Sequence, residues 1–299
     1  MDEHKALLIL HGKQALNEEV RRAVQAQRAQ GWDLAVRLTW EAGDAQRLAD
    51  EAMAAGYPTL IAGGGDGTLR DVAQALAQAA APASLVLMPL GTANDFARAA
   101  QVPFEPAEAL KLLGAPARPV DLGEADGEIF LNMATGGFGS QVTANTSEDL
   151  KKVLGGAAYL FTGLSRFSEL NAAQVRLSGP GFQWQGELLA LGIGNGRQAG
   201  GGHVLCPQAY IDDGLLDISI LPVPRDMIGG LKDLLAGGLG IDSLFVRARL
   251  PWVEVHCGQG MDMNLDGEPV NRRELRFAAR RQALRIHLPP QCPLLSHPG

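Results

Sequence analysis

Between residues 6 and 113, short apolar runs alternate with stretches that carry apolar residues at helical spacing. That alternation is the signature of a parallel sheet crossed by helices. Ala6 to Leu10 reads as a strand. Asn17-Glu18-Glu19 opens a helix with a capping side chain and acids in its first turn, and Gly31 closes it. Leu34, Val36 and Leu38 alternate as a second strand. Asp44 starts a helix with Leu48, Ala52 and Met53 on one face and Gly56 at a left-handed cap. Thr59 to Ala62 follows as a buried strand, then a glycine run, a helix from about Leu69 to Ala80 and a strand from Leu85 to Met88. One helix opens near Asn94, and another runs from Pro106 to Gly114.

From about Val120 the texture changes. Asp126-Gly127, Gly179-Pro180-Gly181, Asp213-Gly214 and Asp266-Gly267 punctuate strand-like segments as hairpin turns do. Helical spacing interrupts them at Ser147 to Leu170 and at Arg225 to Leu235. Ala283 to Leu288 alternates like a strand, and the apolar tail after Pro289-Pro290 reads as returning to the first domain. The expected fold class is therefore α/β: an N-terminal Rossmann-like domain joined to a mainly antiparallel, sandwich-like β domain. The expected domains are 1–121 completed by 289–299, and 122–288.

Composition excludes several function classes. A net charge of -7 and a pI near 5.4 disfavour attraction to nucleic acid or to anionic lipid, so a polyphosphate ligand needs a local site. Cys206, Cys257 and Cys292 are far apart and lack CxxC spacing, which argues against a disulfide framework or a zinc site. No apolar run reaches the roughly 18–20 residues that span a bilayer, and the first residues do not read as a signal peptide. The expectation is a cytoplasmic protein with no transmembrane segment and with peripheral membrane contact left open. Oligomeric state is not legible.

Gly63-Gly64-Gly65-Asp66-Gly67-Thr68, set between a strand and a helix, places small residues where the next helix offers unpaired amides. It is an anion site or a tight packing turn. It matches neither GxxxxGK[ST] nor GxGxxG. Asp66 beside anions would need a task, such as orienting a metal-bound water or a ribose hydroxyl. Leu90-Gly91-Thr92-Ala93-Asn94-Asp95-Phe96 repeats the arrangement one unit later, where Thr92 contacts phosphate or adenine, or Thr92 or Asn94 caps a helix. Thr39 ends the second strand. In Leu205 to Asp217, spacing alone favours an Asp-Gly hairpin with solvated acids over a hard-cation site built on Asp213. Glu268 follows the Asp266-Gly267 turn as a solvated acid or a general base, and Arg197 in a glycine-rich loop is a candidate phosphate partner.

Together these segments resemble the bacterial lipid kinases of the diacylglycerol-kinase catalytic family, YegS type, almost end to end. The similar stretches include Arg37-Leu38-Thr39-Trp40, the GGGDGT run, Leu90 to Phe96, Asn132 to Gly139, Gly192 to Gly202, Leu205 to Leu216, Asn264 to Pro269 and Leu288 to Leu295. The resemblance implies ATP in a cleft between the two domains and a lipid hydroxyl, such as that of phosphatidylglycerol or diacylglycerol, as phosphoryl acceptor at a membrane surface. It further implies ATP contacts from Thr39, Gly65, Asp66, Gly67, Thr68, Leu69, Arg70, Asp71 and Thr92. Tyr210, Asp213 and Leu215 would bind a divalent cation, Mg2+ or Ca2+, and Glu268 would accept the proton. The chain departs from the family where asparagine and glutamate usually follow the glycine run, since Arg70 and Asp71 stand there. Two alternatives stay open: an enzyme similar to NAD kinase, which shares the GGDG loop, and a catalytically silent nucleotide or lipid binder.

Overall fold

The structure is a computed structural model and describes residues 4–79, 83–137, 174–200, 202–223 and 244–296. The helical stretches read at Ser147 to Leu170 and at Arg225 to Leu235 lie outside the described residues. The chain divides into two units. The first comprises Met1–Leu122, Tyr210–Gly214 and Arg280–Gly299, and the second Gly123–Ala209 and Leu215–Ala279.

In the first unit, β1 (Lys5–His11), β2 (Asp33–Thr39), β3 (Thr59–Gly64) and β4 (Ser84–Pro89) run parallel in the order β2-β1-β3-β4. β1 and β3 read as continuous apolar runs because a central parallel strand is covered on both faces, and Leu8, Ile9, Leu60 and Ile61 are fully buried. Helices α1 (Glu18–Ala29), α2 (Asp44–Ala54), α3 (Asp66–Gln78), α4 (Asp95–Ala100) and α5 (Pro106–Lys111) form the crossovers and the segment beyond β4. Asn17 caps α1 as its sequence implies, its Oδ1 accepting from the Glu19 and Val20 amides at 3.0 and 3.3 Å. At the start of α2, the Asp44 carboxylate accepts from the Trp40 and Glu41 amides and from Arg47, and with Arg47 as the main cause its pKa falls to about 2.

Helix α3 corrects one expectation, since it begins at Asp66 rather than near Leu69. Gly65 is extended and acts as the N-cap, so Asp66, Gly67 and Thr68 form the first turn instead of a loop. An acid is favoured there by the helix dipole. β1 is followed by β2 on one side and flanked by β3 on the other, so the chain reverses direction across the sheet at the carboxyl ends of β1 and β3. That is where open α/β sheets bind ligands.

The second unit is mainly antiparallel. Its strands are the end of β5 (Ala117–Ala125), β6 (Glu128–Phe130), β7 (Met133–Gly137), β8 (Gln174–Gly179), β9 (Phe182–Gly194), β10 (Gln198–Ala199), β11 (His203–Val204), β12 (Leu216–Pro222), β13 (Val246–Leu250), β14 (Trp252–Leu265) and most of β15 (Glu268–His287). The order β13-β12-β9-β7-β14-β15, with β8 bridging β9 and β14, encloses a core that includes Phe130, Leu177, Ile193, Ile218, Val253 and Phe277. From Arg280, β15 belongs to the first unit, where Ile286 pairs with Leu85 of β4.

Three of the four turns read from sequence join paired strands: Asp126-Gly127, Pro180-Gly181 and Asp266-Gly267. Asp126 and Asp266 have φ of 51° and 47°, each followed by a glycine of still larger φ, as a two-residue hairpin turn of the primed type requires. Asp213-Gly214 is not a hairpin. β12, which follows, pairs with β9 and β13, and the Gly214 amide donates to Asp121 Oδ2 at 2.6 Å. The segment Tyr210–Gly214 is held in the first unit by that bond, by Asp121 N donating to Ile211 O, and by Ile211 N donating to Leu294 O in the tail.

Candidate active site

At the carboxyl ends of the first unit's strands, two turns meet backbone to backbone. A Cβ on Gly91 would lie 2.5 Å from Gly65 Cα, so a side chain there is excluded unless one turn moves. Gly64 is constrained in the same way by Thr68, whose hydroxyl occupies the space a Cβ would need. Two side chains hold the pair. Asn94, at φ 48°, accepts from the Gly91 amide at 3.0 Å and donates to the Gly91 carbonyl at 2.7 Å. Asp66 accepts from the Asp95 and Phe96 amides at 3.0 and 3.2 Å, giving α4 the cap that no residue of its own supplies.

Asp66 therefore has a structural task in the glycine-rich turn. Its carboxylate ties the β3–α3 turn to the start of α4. Burial pushes its pKa up, while the two amides and a contact with its own amide pull the other way. Gly65 makes no side-chain cap, so the first-turn amides of α3 have no intrahelical acceptor and face whatever lies at the strand ends. A helix N-terminus presented through glycine is a phosphate site in chemical terms.

Of the other residues expected to contact a nucleotide, Thr39 closes β2 and its Oγ1 accepts from the Gly12 amide at 3.3 Å, fastening the ends of β1 and β2. Thr92 is exposed at the tip of its turn. The side chains of Thr68 and Leu69 are buried, at 8% and 1% exposure, and the Leu69 amide donates to Gly65 O at 3.1 Å within the helix. Arg70 and Asp71 form an ion pair with each other, Nη2 to Oδ1 at 2.9 Å, both partly buried.

Tyr210 and Asp213 fall in the first unit and Leu215 in the second. Asp213 is half-buried rather than solvated. Among the described residues no group of three or more His, Cys, Asp or Glu could hold a metal. One carboxylate with turn carbonyls nevertheless suits a hard cation, which takes oxygen ligands of both kinds.

In the second unit, Glu268 is exposed and opens β15 directly after the Asp266-Gly267 turn. The turn is anchored far more firmly than an ordinary hairpin. Asp266 Oδ2 accepts from the Leu131 amide at 2.6 Å and Oδ1 from the Met133 amide at 2.9 Å, with the Asn132 amide shared between the two oxygens at 3.2 and 3.1 Å. The Asp266 amide returns a bond to Met133 O, and Asn264 Oδ1 accepts from the Gly267 amide at 2.7 Å. Leu131 and Asn132 are tied in turn to the glycine-rich loop: buried Asn195 donates to Leu131 O at 2.8 Å, and Gly196 N donates to Asn132 O at 2.6 Å. In that loop Arg197 Nε donates to Ala209 O at 2.9 Å, so part of its fork serves the main chain rather than a phosphate. Sequence reasoning missed Asp266, Asn264 and Asn94 as fasteners. Asp266 carried the signal of a turn residue and Asn94 that of a helix cap, and those readings absorbed them.

Residues 5–125 match the diacylglycerol kinase catalytic domain family, and residues 132–288 match the YegS C-terminal NAD kinase beta sandwich-like domain family. A Pseudomonas fluorescens protein named probable lipid kinase YegS-like is 76% identical over 295 residues, covering 99% of either chain. A Pseudomonas aeruginosa protein of the same name is 70% identical over 298 residues, covering 100% of this chain and 99% of the other. A solved structure from Bacillus anthracis, described as "a putative diacylglycerol kinase", superposes with a TM-score of 0.79 at 27% identity, covering 97% of this chain and 96% of that one. An α/β domain with a glycine-rich turn at its strand ends, followed by a β-sandwich-like domain, and these family matches define a kinase of the diacylglycerol-kinase fold. Within that class, the chain belongs to the YegS-like lipid kinase family.

Proposed function

We propose that the protein transfers the γ-phosphate of ATP to the hydroxyl of a lipid such as phosphatidylglycerol or diacylglycerol. The observation that carries this reading is the pair of turns at the switch point, where Gly65 and Gly91 touch and the α3 amides are left without helical partners, in a chain of this family. Phosphoryl transfer asks for charge neutralisation on the β and γ phosphates, an aligned acceptor and a destination for its proton. The first-turn amides of α3 and the hydroxyls of Thr39 and Thr92 bind the nucleotide, and Leu69, Arg70 and Asp71 complete the helix start behind them, with the Arg70–Asp71 pair at its edge. Mg2+ bound with ATP supplies further charge to the phosphates. Glu268 takes the proton from the acceptor hydroxyl as the new bond forms. Tyr210, Asp213 and Leu215 would hold a second divalent cation, Mg2+ or Ca2+, with the Asp213 carboxylate and main-chain carbonyls as oxygen donors.

No helix among the described residues is long and apolar enough to cross a membrane. In this reading the enzyme is cytoplasmic and meets its lipid by peripheral contact. Incubation with labelled ATP, Mg2+ and a panel of lipids in mixed micelles tests it, and label is expected in a phosphorylated lipid. Label only in a water-soluble product supports a reaction similar to that of NAD kinase. Nucleotide binding with no turnover on any lipid supports a silent binder. Replacing Glu268 by glutamine is expected to lower transfer by at least about 100-fold, the size of a general-base contribution, while ATP affinity stays within twofold.

A further inference from the structure

We infer that Asp266 is a positioning residue that acts through Glu268, an inference that rests on the proposed role of Glu268 as proton acceptor. Glu268 by itself is poorly placed for accurate chemistry: it is exposed, at the first residue of a strand, immediately after a two-residue turn. Hairpin tips of this kind are ordinarily among the more mobile parts of a sheet. What distinguishes this tip is that its first turn residue grips three consecutive main-chain amides, those of Leu131, Asn132 and Met133, more than 130 residues earlier in the chain. The reciprocal bond from the Asp266 amide to Met133 O closes a ring, and Asn264 pins Gly267 from the other side.

Closing the hairpin alone gives no reason for this arrangement. An Asp-Gly turn closes a hairpin without outside help, and Asp126-Gly127 joins β5 to β6 in this same unit with the same backbone signs. The gripped segment also holds a buried acceptor, Asn132 Oδ1, that has no hydrogen-bond partner among the described residues, beside Gly196. The grip fixes the 131–133 segment, the turn and the first residue of β15 as one body. A displacement of about 1 Å at a reacting group costs roughly 100-fold in rate, so rigidity at this point has a direct chemical use.

The test combines two substitutions. D266N keeps the side-chain volume but turns an amide NH2 toward amide N–H groups. It is expected to lower kcat by about 10- to 100-fold, with KM for ATP and for lipid within twofold of the starting enzyme. Measured on the residual rate of E268Q with excess labelled ATP, the same substitution is expected to cost nothing further, because the group it positions is gone. N264A loosens only the Gly267 side of the turn at a partly exposed site. It is expected to show a smaller fall in kcat that likewise vanishes in E268Q, which keeps the inference testable if D266N does not fold. Unchanged kcat in a folded D266N protein overturns the inference, as does an equal fall in the presence and absence of Glu268. Full activity of E268Q overturns the reading of Glu268 itself, a result separate from anything Asp266 does.

Discussion

Asp66 in the first unit and Asp266 in the second do the same physical thing to opposite ends. Each carboxylate accepts main-chain amides from a distant segment: Asp95 and Phe96 for Asp66, and Leu131, Asn132 and Met133 for Asp266. Around Asp66 the fastened parts are, in the proposed reading, themselves the binding surface, built of glycines and helix amides with no projecting side chain. Around Asp266 the fastened part is a platform, and the proposed chemistry belongs to the Glu268 side chain that follows it. A carboxylate tie can thus serve affinity where the backbone is the ligand-binding group, and turnover where a side chain is.

The contrast breaks most readily at Gly91. Adding one methyl there puts a carbon 2.5 Å from Gly65 Cα, so one of the two turns must shift. Overpacking of this kind costs about 1–3 kcal/mol. Gly91→Ala is expected to weaken ATP binding by about tenfold or more, read by titration calorimetry, with residual kcat at saturating ATP affected less. A large fall in kcat at unchanged affinity would mean that the first-unit turns act on catalysis as the Asp266 turn does.

Asp66→Asn is the milder probe. It retains one acceptor for the two α4 amides and leaves the other facing an NH2 group, a loss of about 1–3 kcal/mol that relief from burying a charge partly offsets. The expected outcome is a three- to tenfold rise in KM for ATP with kcat within about twofold, from steady-state kinetics. The opposite split, a low kcat at normal KM, would erase the distinction between the two aspartates.

The parts legible in sequence are those whose cause is local. β1 and β3 announce themselves because a strand covered on both faces must be apolar throughout, and α1 because Asn17 caps it within three residues. The glycine run pointed to the strand end at which the two turns touch. The start of α3 was misread by three residues because Asp and Gly look like turn formers, whereas a helix tolerates them in its first turn. What stayed hidden is non-local. Asp66 reaches 29 residues along the chain and Asp266 reaches 135, and nothing at either position names its partner. Asp213-Gly214 failed as a hairpin for the same reason, since its geometry is set by Asp121, 93 residues away.

The smallest effect concerns charge burial, and it separates Asp66 from another fastener of the first unit. His287, near the end of β15, lies 2.7 Å from the Ala115 carbonyl through Nδ1 and 2.9 Å from Ser84 Oγ through Nε2. The carbonyl can only accept, so Nδ1 carries the hydrogen, and in a neutral ring Nε2 is an acceptor that competes with Pro58 O, 3.3 Å away, for the Ser84 hydroxyl hydrogen. Burial is the main reason that the His287 pKa lies below its ordinary 6.5, and it is the same cause that raises Asp66 above 3.8. The signs then differ. Neutral His287 contributes stability that is present above pH 6.5 and is lost as pH falls through its lowered value, because the unfolded chain binds the proton first. Asp66 contributes stability that is present below pH 3.8 and is lost as pH rises through its raised value, because the folded chain holds the proton longer. Thermal melts of His287→Gln, compared with the unsubstituted protein from pH 7.5 down to pH 5, are expected to show a shallower loss of Tm, whereas Asp66→Asn melts identically in slope above the Asp66 value. Equal slopes for His287→Gln and the unsubstituted protein below pH 6.5 would mean that His287 is charged in the fold. The bond to Ser84 would then run from the ring to the hydroxyl.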